Sequence, residues 1–150
     1  MVVKSYGGGP KPFARVFLIA SKYRVLGFLH PFVDTGAPLT CLSSTDAERL
    51  HVPFNVLSAH TPRPTVHYIG GLSFWAYPME NVTLKTSDED SKEEEFILNP
   101  IYALKLTKKD NESIQRARLI PSILGMDFLT KYRFTLNFNL DKKIANITKP

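Results

Sequence analysis

Phe32-Val33-Asp34-Thr35-Gly36-Ala37 sets an Asp-Thr-Gly triplet at the end of an apolar run. Phe32 and Val33 read as the last residues of a buried strand. Gly36 permits a tight turn that brings backbone close to a bound chain, and Thr35 offers a small hydroxyl able to bond across an interface. A given triplet of this kind arises by chance in roughly 3% of chains of this length, and taken alone it also suits an ordinary Asp-Gly-type turn between strands. Its weight comes from its surroundings. Far downstream, Ile123-Leu124-Gly125-Met126-Asp127-Phe128-Leu129 places a glycine behind two branched apolar residues. Between the two lies Tyr68-Ile69-Gly70-Gly71-Leu72, where paired glycines between apolar neighbours suit the tip of a hairpin.

With 150 residues the chain fits one domain that buries roughly 70% of its unfolded surface. A 43% apolar fraction, including 10 Phe and 6 Tyr, supplies a core. Eleven Pro and eight Gly punctuate the chain so often that many short strands are expected rather than long helices. Residues 1–12, with Gly7-Gly8-Gly9-Pro10, read as a flexible leader before a domain over 13–150. Neither a signal-peptide pattern nor an apolar run of membrane-spanning length is seen, so a cytoplasmic protein without a membrane partner is expected. Cys41 stands alone and reads as a small buried hydrophobe.

The net charge of +5 is unevenly spread. Ser87 to Glu95 holds six of the 14 acidic residues and one of the 19 basic ones, and reads as a solvated insert. The basic remainder is not interleaved with aromatics at a spacing that suits base stacking, so nucleic acid is not expected as a partner. His30, His51, His60 and His67 share no ligand spacing. No phosphate-cradling loop and no serine between glycines is present, so neither a metal nor a cofactor is implied.

Residues 13–20 and 24–33 read as paired strands about a turn at Ser21-Lys22, with a bulge or edge at His30-Pro31 because proline cannot donate to a ladder. Leu39 to Leu42 is a short strand. Thr45 as N-cap with Glu48 three residues on predicts a short helix that Pro53 ends. A hairpin is expected over Thr65 to Pro78. Val82 to Lys85 should pair with Phe96 to Leu104 through the acidic insert, and Thr107 to Arg116 reads as a surface loop. Asp127 suits the start of a helical turn that runs to Tyr132. Phe134 to Phe138 and Ile144 to Ile147 should form a last hairpin about Asp141-Lys142-Lys143.

The Asp-Thr-Gly-Ala loop, the paired-glycine hairpin, the late Ile-Leu-Gly and the closing Thr135-Leu136-Asn137-Phe138, in that order, resemble the retropepsin-like aspartic proteases. The likeness runs from about Phe13 to Ile147 and is nearer to the cellular and retrotransposon branch than to the viral one. It implies an all-β acid-protease fold, a closed barrel with one or two short helices and one lobe per chain. It further implies a homodimeric aspartic endopeptidase in which Asp34 and its copy share the catalysis. Thr35, Gly36, Ala37 and Gly125 would support the active-site loop. Ile69, Gly70, Gly71 and Leu72 would form the flap over a polypeptide substrate, with a preference for bulky apolar residues. Viral members follow Asp-Thr-Gly-Ala with an aspartate and the late glycine with an arginine, which pair. Here Pro38 and Met126 stand at those positions, so both partners are missing together and no charge is orphaned. That absence also admits a rival, a domain that keeps the fold for dimerisation or peptide binding without catalysis.

Overall fold

The computed structural model describes residues 2–4, 12–87, 90–139, 141–142 and 144–149. The chain opens with β1 (Val2–Lys4), β2 (Val16–Ala20), β3 (Val25–Leu29), β4 (Phe32–Val33) and β5 (Cys41–Leu42), followed by α1 (Ser44–Arg49) and α2 (Phe54–His60). A run of strands follows: β6 (Thr65–Ile69), β7 (Leu72–Met79), β8 (Val82–Ser87), β9 (Glu93–Leu98) and β10 (Ile101–Leu106). It closes with α3 (Asn111–Ala117), β11 (Ile123–Leu124), α4 (Met126–Lys131), β12 (Thr135–Asn139) and β13 (Ile144–Thr148). The fold is mostly β with four short α-helices among the described residues.

Alternation of side chains along the strands decides which face is buried. In the antiparallel sheet β3-β2-β8-β9, Val16, Leu18, Ala20, Val25, Leu29, Val82, Leu84, Phe96 and Leu98 point into the core, while Leu26, Phe28 and Ile97 lie on the open face. Both outer strands have outward-facing backbone groups taken up by side chains. Arg49 Nη2 donates to the Phe28 carbonyl oxygen at 2.7 Å. On β9, Ile97 N donates to the Tyr132 hydroxyl at 2.6 Å, and that hydroxyl donates to Ile97 O at 2.8 Å. Phe96 also meets Phe128, Tyr132 and Phe134 with ring centroids 5.5, 4.8 and 5.3 Å away, so α4 is packed onto this sheet by aromatic edges.

The sheet that positions the site has the order β4-β11-β5-β10-β7-β6. β11 lies parallel to β4, with Ile123 opposite Phe32 and Leu124 opposite Val33, and antiparallel to β5 at Ile123 and Cys41. β10 runs parallel to β5 on one side and antiparallel to β7 on the other. The hairpin β6–β7 is thereby wired through β10 to the strand that leaves the Asp34 loop. A third sheet, β1-β13-β12, gathers the two ends of the chain.

The described pairings form three sheets, and no closed barrel is found among them. Other expectations need correction. α1 starts from Ser43, not Thr45: Ser43 is extended and its hydroxyl accepts from Asp46 N at 3.1 Å. Pro53 ends no helical region; it stands at the N-cap of α2, a place where a missing N–H costs nothing. The loop expected over residues 107–116 contains α3, whose N-cap Asp110 accepts from Ser113 N at 2.9 Å. The strand expected over residues 96–104 is two strands in different sheets, parted at Asn99-Pro100. Phe13 makes only a single bridge, to Phe32, before β2 begins. Within the expected leader, residues 2–4 pair with β13. Residues 5–11, Asp88 and Glu89 of the acidic insert, and Lys143 of the last turn lie outside the described residues.

Candidate active site

Asp34 emerges from β4 at a point where the backbone is tied on every side. Phe32 N donates to Ser122 O at 2.8 Å, Val33 N to Pro12 O at 2.8 Å and Asp34 N to Leu124 O at 3.0 Å. The chain then reverses in a turn in which Ala37 N reaches Asp34 O at 3.3 Å. Gly36 N donates to Asp34 Oδ1 at 2.8 Å, so the carboxylate is held by its own loop. Asp34 is half-buried, Thr35 and Gly36 are exposed, and Ala37 is half-buried. The loop thus presents its tip to solvent on a fixed base.

Gly125 forms part of that base. A Cβ there would sit 2.6 Å from both the carbonyl carbon and oxygen of Leu39 and 2.9 Å from Ala37 O, so no larger residue fits without moving backbone. Just beyond it, Met126 N donates to Ala37 O at 2.8 Å and Asp127 N to Pro38 O at 3.2 Å. The structure therefore brings Asp34, Thr35, Gly36, Ala37 and Gly125 together.

Two residues contribute more than the sequence showed. Asp127 lies in the first turn of α4, as expected of it, and its Oδ1 accepts from Phe128 N at 2.7 Å. The same oxygen accepts the Thr40 hydroxyl at 2.7 Å and Oδ2 accepts Thr40 N at 3.0 Å. Buried Thr40 in turn accepts from Gly125 N at 3.0 Å through its Oγ1. A carboxylate and a hydroxyl thus join the two halves of the loop region that Pro38 and Met126 leave without an ion pair. The only sequence signal for Thr40 was a polar residue inside the apolar run Leu39-Thr40-Cys41-Leu42. A second polar link lies behind: Ser122 Oγ donates to Asp46 Oδ2 at 2.6 Å and accepts from Ser43 N at 2.9 Å, which ties α1 to the segment supporting Phe32.

The hairpin has the form its glycines dictate. Ile69 faces Leu72 across a two-residue turn in which Gly70 and Gly71 have φ of +58° and +76°. Leu72 is buried with Phe74, Ala76, Leu104, Ala117 and Cys41, and Ile69, Leu39 and Ile120 pack against that cluster. Leu39 belongs to the loop region of Asp34, so the tip residues and the loop meet through this cluster. Tyr68 stands on the opposite face, 79% exposed.

Burial, followed by the negative charge of Asp127, pushes the Cys41 thiol up from 9.0 to about 12, which removes it as a nucleophile near neutral pH. Its Sγ lies 4.0 Å from His67 Nδ1, and burial holds that imidazole below its usual value. Among the described residues no group of three or more His, Cys, Asp or Glu has the arrangement of a metal site, and no helix is long and apolar enough to cross a membrane.

No family model and no curated protein matches the chain. Among solved structures, the retroviral protease-like domain of Ddi1 from Leishmania major aligns at TM-score 0.45 and 13% identity, over 91% of this chain and 94% of that one. A retropepsin-like aspartic protease from Rickettsia conorii aligns at TM-score 0.52 and 17% identity, over 96% of this chain and 85% of that one. At that identity the likeness speaks for architecture: this chain has the fold of the retropepsin-like aspartic proteases.

Proposed function

We propose that two copies of this chain form an aspartic endopeptidase, with Asp34 and its symmetry mate as the dyad. The observation that carries the reading is the Asp34 loop itself: one carboxylate per chain, oriented by Gly36 N on a braced base, with Thr35 and Gly36 exposed where a second loop can meet them. Two such carboxylates brought together cannot both stay ionised, so the pair holds one proton between pH steps; aspartic proteases are a standard instance of this behaviour. The ionised member takes a proton from water as that water attacks the scissile carbonyl, and the protonated member donates to the carbonyl oxygen. Leu39, Ile69 and Ile120, apolar and half-buried, supply the wall that favours bulky apolar side chains beside the scissile bond.

The test is Asp34→Asn, measured against an apolar peptide library alongside sedimentation of both proteins. Asparagine keeps the oxygen that accepts from Gly36 N but cannot take up the water's proton, so cleavage should vanish while fold and dimer persist. Specific activity of the native chain should fall on dilution in step with dissociation. Wild-type cleavage by the variant, or constant specific activity in a protein that stays monomeric, overturns the assignment.

A further inference from the structure

The hairpin tip is fastened to the rest of its own chain. Arg116, at the end of α3, donates from Nη2 to the Gly70 carbonyl oxygen at 2.8 Å, across 46 residues of sequence. A Cβ on Gly71 would lie 3.1 Å from that same nitrogen, and a Cβ on Gly70 would lie 3.4 Å from Ile120 Cδ1. Both glycines take positive φ, and Gly71 in addition leaves room for the close approach of the guanidinium. The anchor is itself fixed. Asp110 caps α3, Ser113 and Ala117 are buried, and Ala117 shares the apolar cluster of Leu72 and Phe74.

We propose that Arg116 is a positioning residue for substrate binding, which sets where the β6–β7 tip stands and so which backbone a bound polypeptide meets. The inference deepens the proteolytic reading of the site and rests on it. A turn of two glycines has little stiffness of its own, and a directional, charge-assisted bond from a helix supplies what the sequence of the tip lacks. A cover already in place lowers the ordering cost of binding. Arginine suits the task because its planar fork reaches Gly70 O while lying against Gly71, which a lysine ammonium matches only in part.

Hydrogen exchange across residues 68–73 and steady-state kinetics on one apolar peptide should be measured for the wild-type dimer and for Arg116→Met, Arg116→Lys and the neighbouring control Arg118→Met. Loss of a bond of this class should speed exchange at Leu72 about tenfold and raise KM about tenfold in Arg116→Met, with kcat within about twofold. Arg116→Lys should recover part of both effects, and Arg118→Met should change neither. Unchanged exchange in Arg116→Met, or faster exchange with an unmoved KM, overturns the inference while the proteolytic reading stands. A wild-type dimer without cleavage overturns both.

Discussion

The carboxylate of Asp127 holds Thr40, 87 residues away, by hydroxyl and amide at once, at 2.7 and 3.0 Å. Because Thr40 also accepts from Gly125 N at 3.0 Å, the strand that leaves the Asp34 loop and the segment that carries Gly125 form one hydrogen-bonded unit. Removing the carboxylate strands a buried amide and a buried hydroxyl, which costs more than the bonds themselves contribute.

Asp127→Ala should therefore lower the unfolding free energy by about 2–4 kcal/mol, and Asp127→Asn, which keeps one acceptor oxygen, by less. Urea denaturation of Asp127→Ala, Thr40→Val and the double variant checks the coupling. The double variant should lose clearly less than the two single losses combined; strict additivity would show that the two residues act independently.

Gly125→Ala should destabilise the protein by about 1–3 kcal/mol through overpacking against Leu39 and Ala37. Because the displaced groups are backbone of the Asp34 loop region, cleavage should fall further than the stability change alone explains. A melting temperature equal to wild type would show that the loop yields freely.

Cys41 should make the native state resist alkylation by iodoacetamide at pH 8 and react only on unfolding. Its folded value of about 12 stands above 9.0, so the unfolded chain releases the thiol proton first as pH rises. The stability this contributes is full below pH 9 and is lost as pH climbs from about 9 toward 12. Denaturation at pH 8 and 10.5 should show wild type losing stability faster than Cys41→Val, by up to about 1.4 kcal/mol per pH unit. Equal slopes in the two proteins would contradict the burial of the thiol.

What was legible in the sequence was local. The turn at Asp34, the hairpin tip at Gly70-Gly71, the break at His30-Pro31 and the glycine at 125 each announce themselves through backbone requirements confined to a few residues. α2 escaped because Pro53 signals a helix start as readily as a helix stop. α3 escaped because its cap, Asp110, stands within the polar run Lys108-Lys109-Asp110-Asn111, which reads as a loop. Beyond the place of Thr40 inside an apolar run, the pairing of Asp127 with Thr40 and of Arg116 with Gly70 had no sequence signature, since polar pairing across 87 or 46 residues follows from topology rather than periodicity. The division of residues 96–104 between two sheets has the same origin.

Arg49 on Phe28 and Tyr132 on Ile97 have a consequence for the fate of the chain at high concentration. A sheet whose outer strands offer bare amides and carbonyls is a template for the next molecule, and an apolar face beside it makes the template adhesive. Here an incoming strand has first to displace a guanidinium on one side or a phenol on the other. The two side chains act as bolts against fibre growth at Phe28 and Ile97, the points of the two outer strands where large apolar side chains stand on the open face.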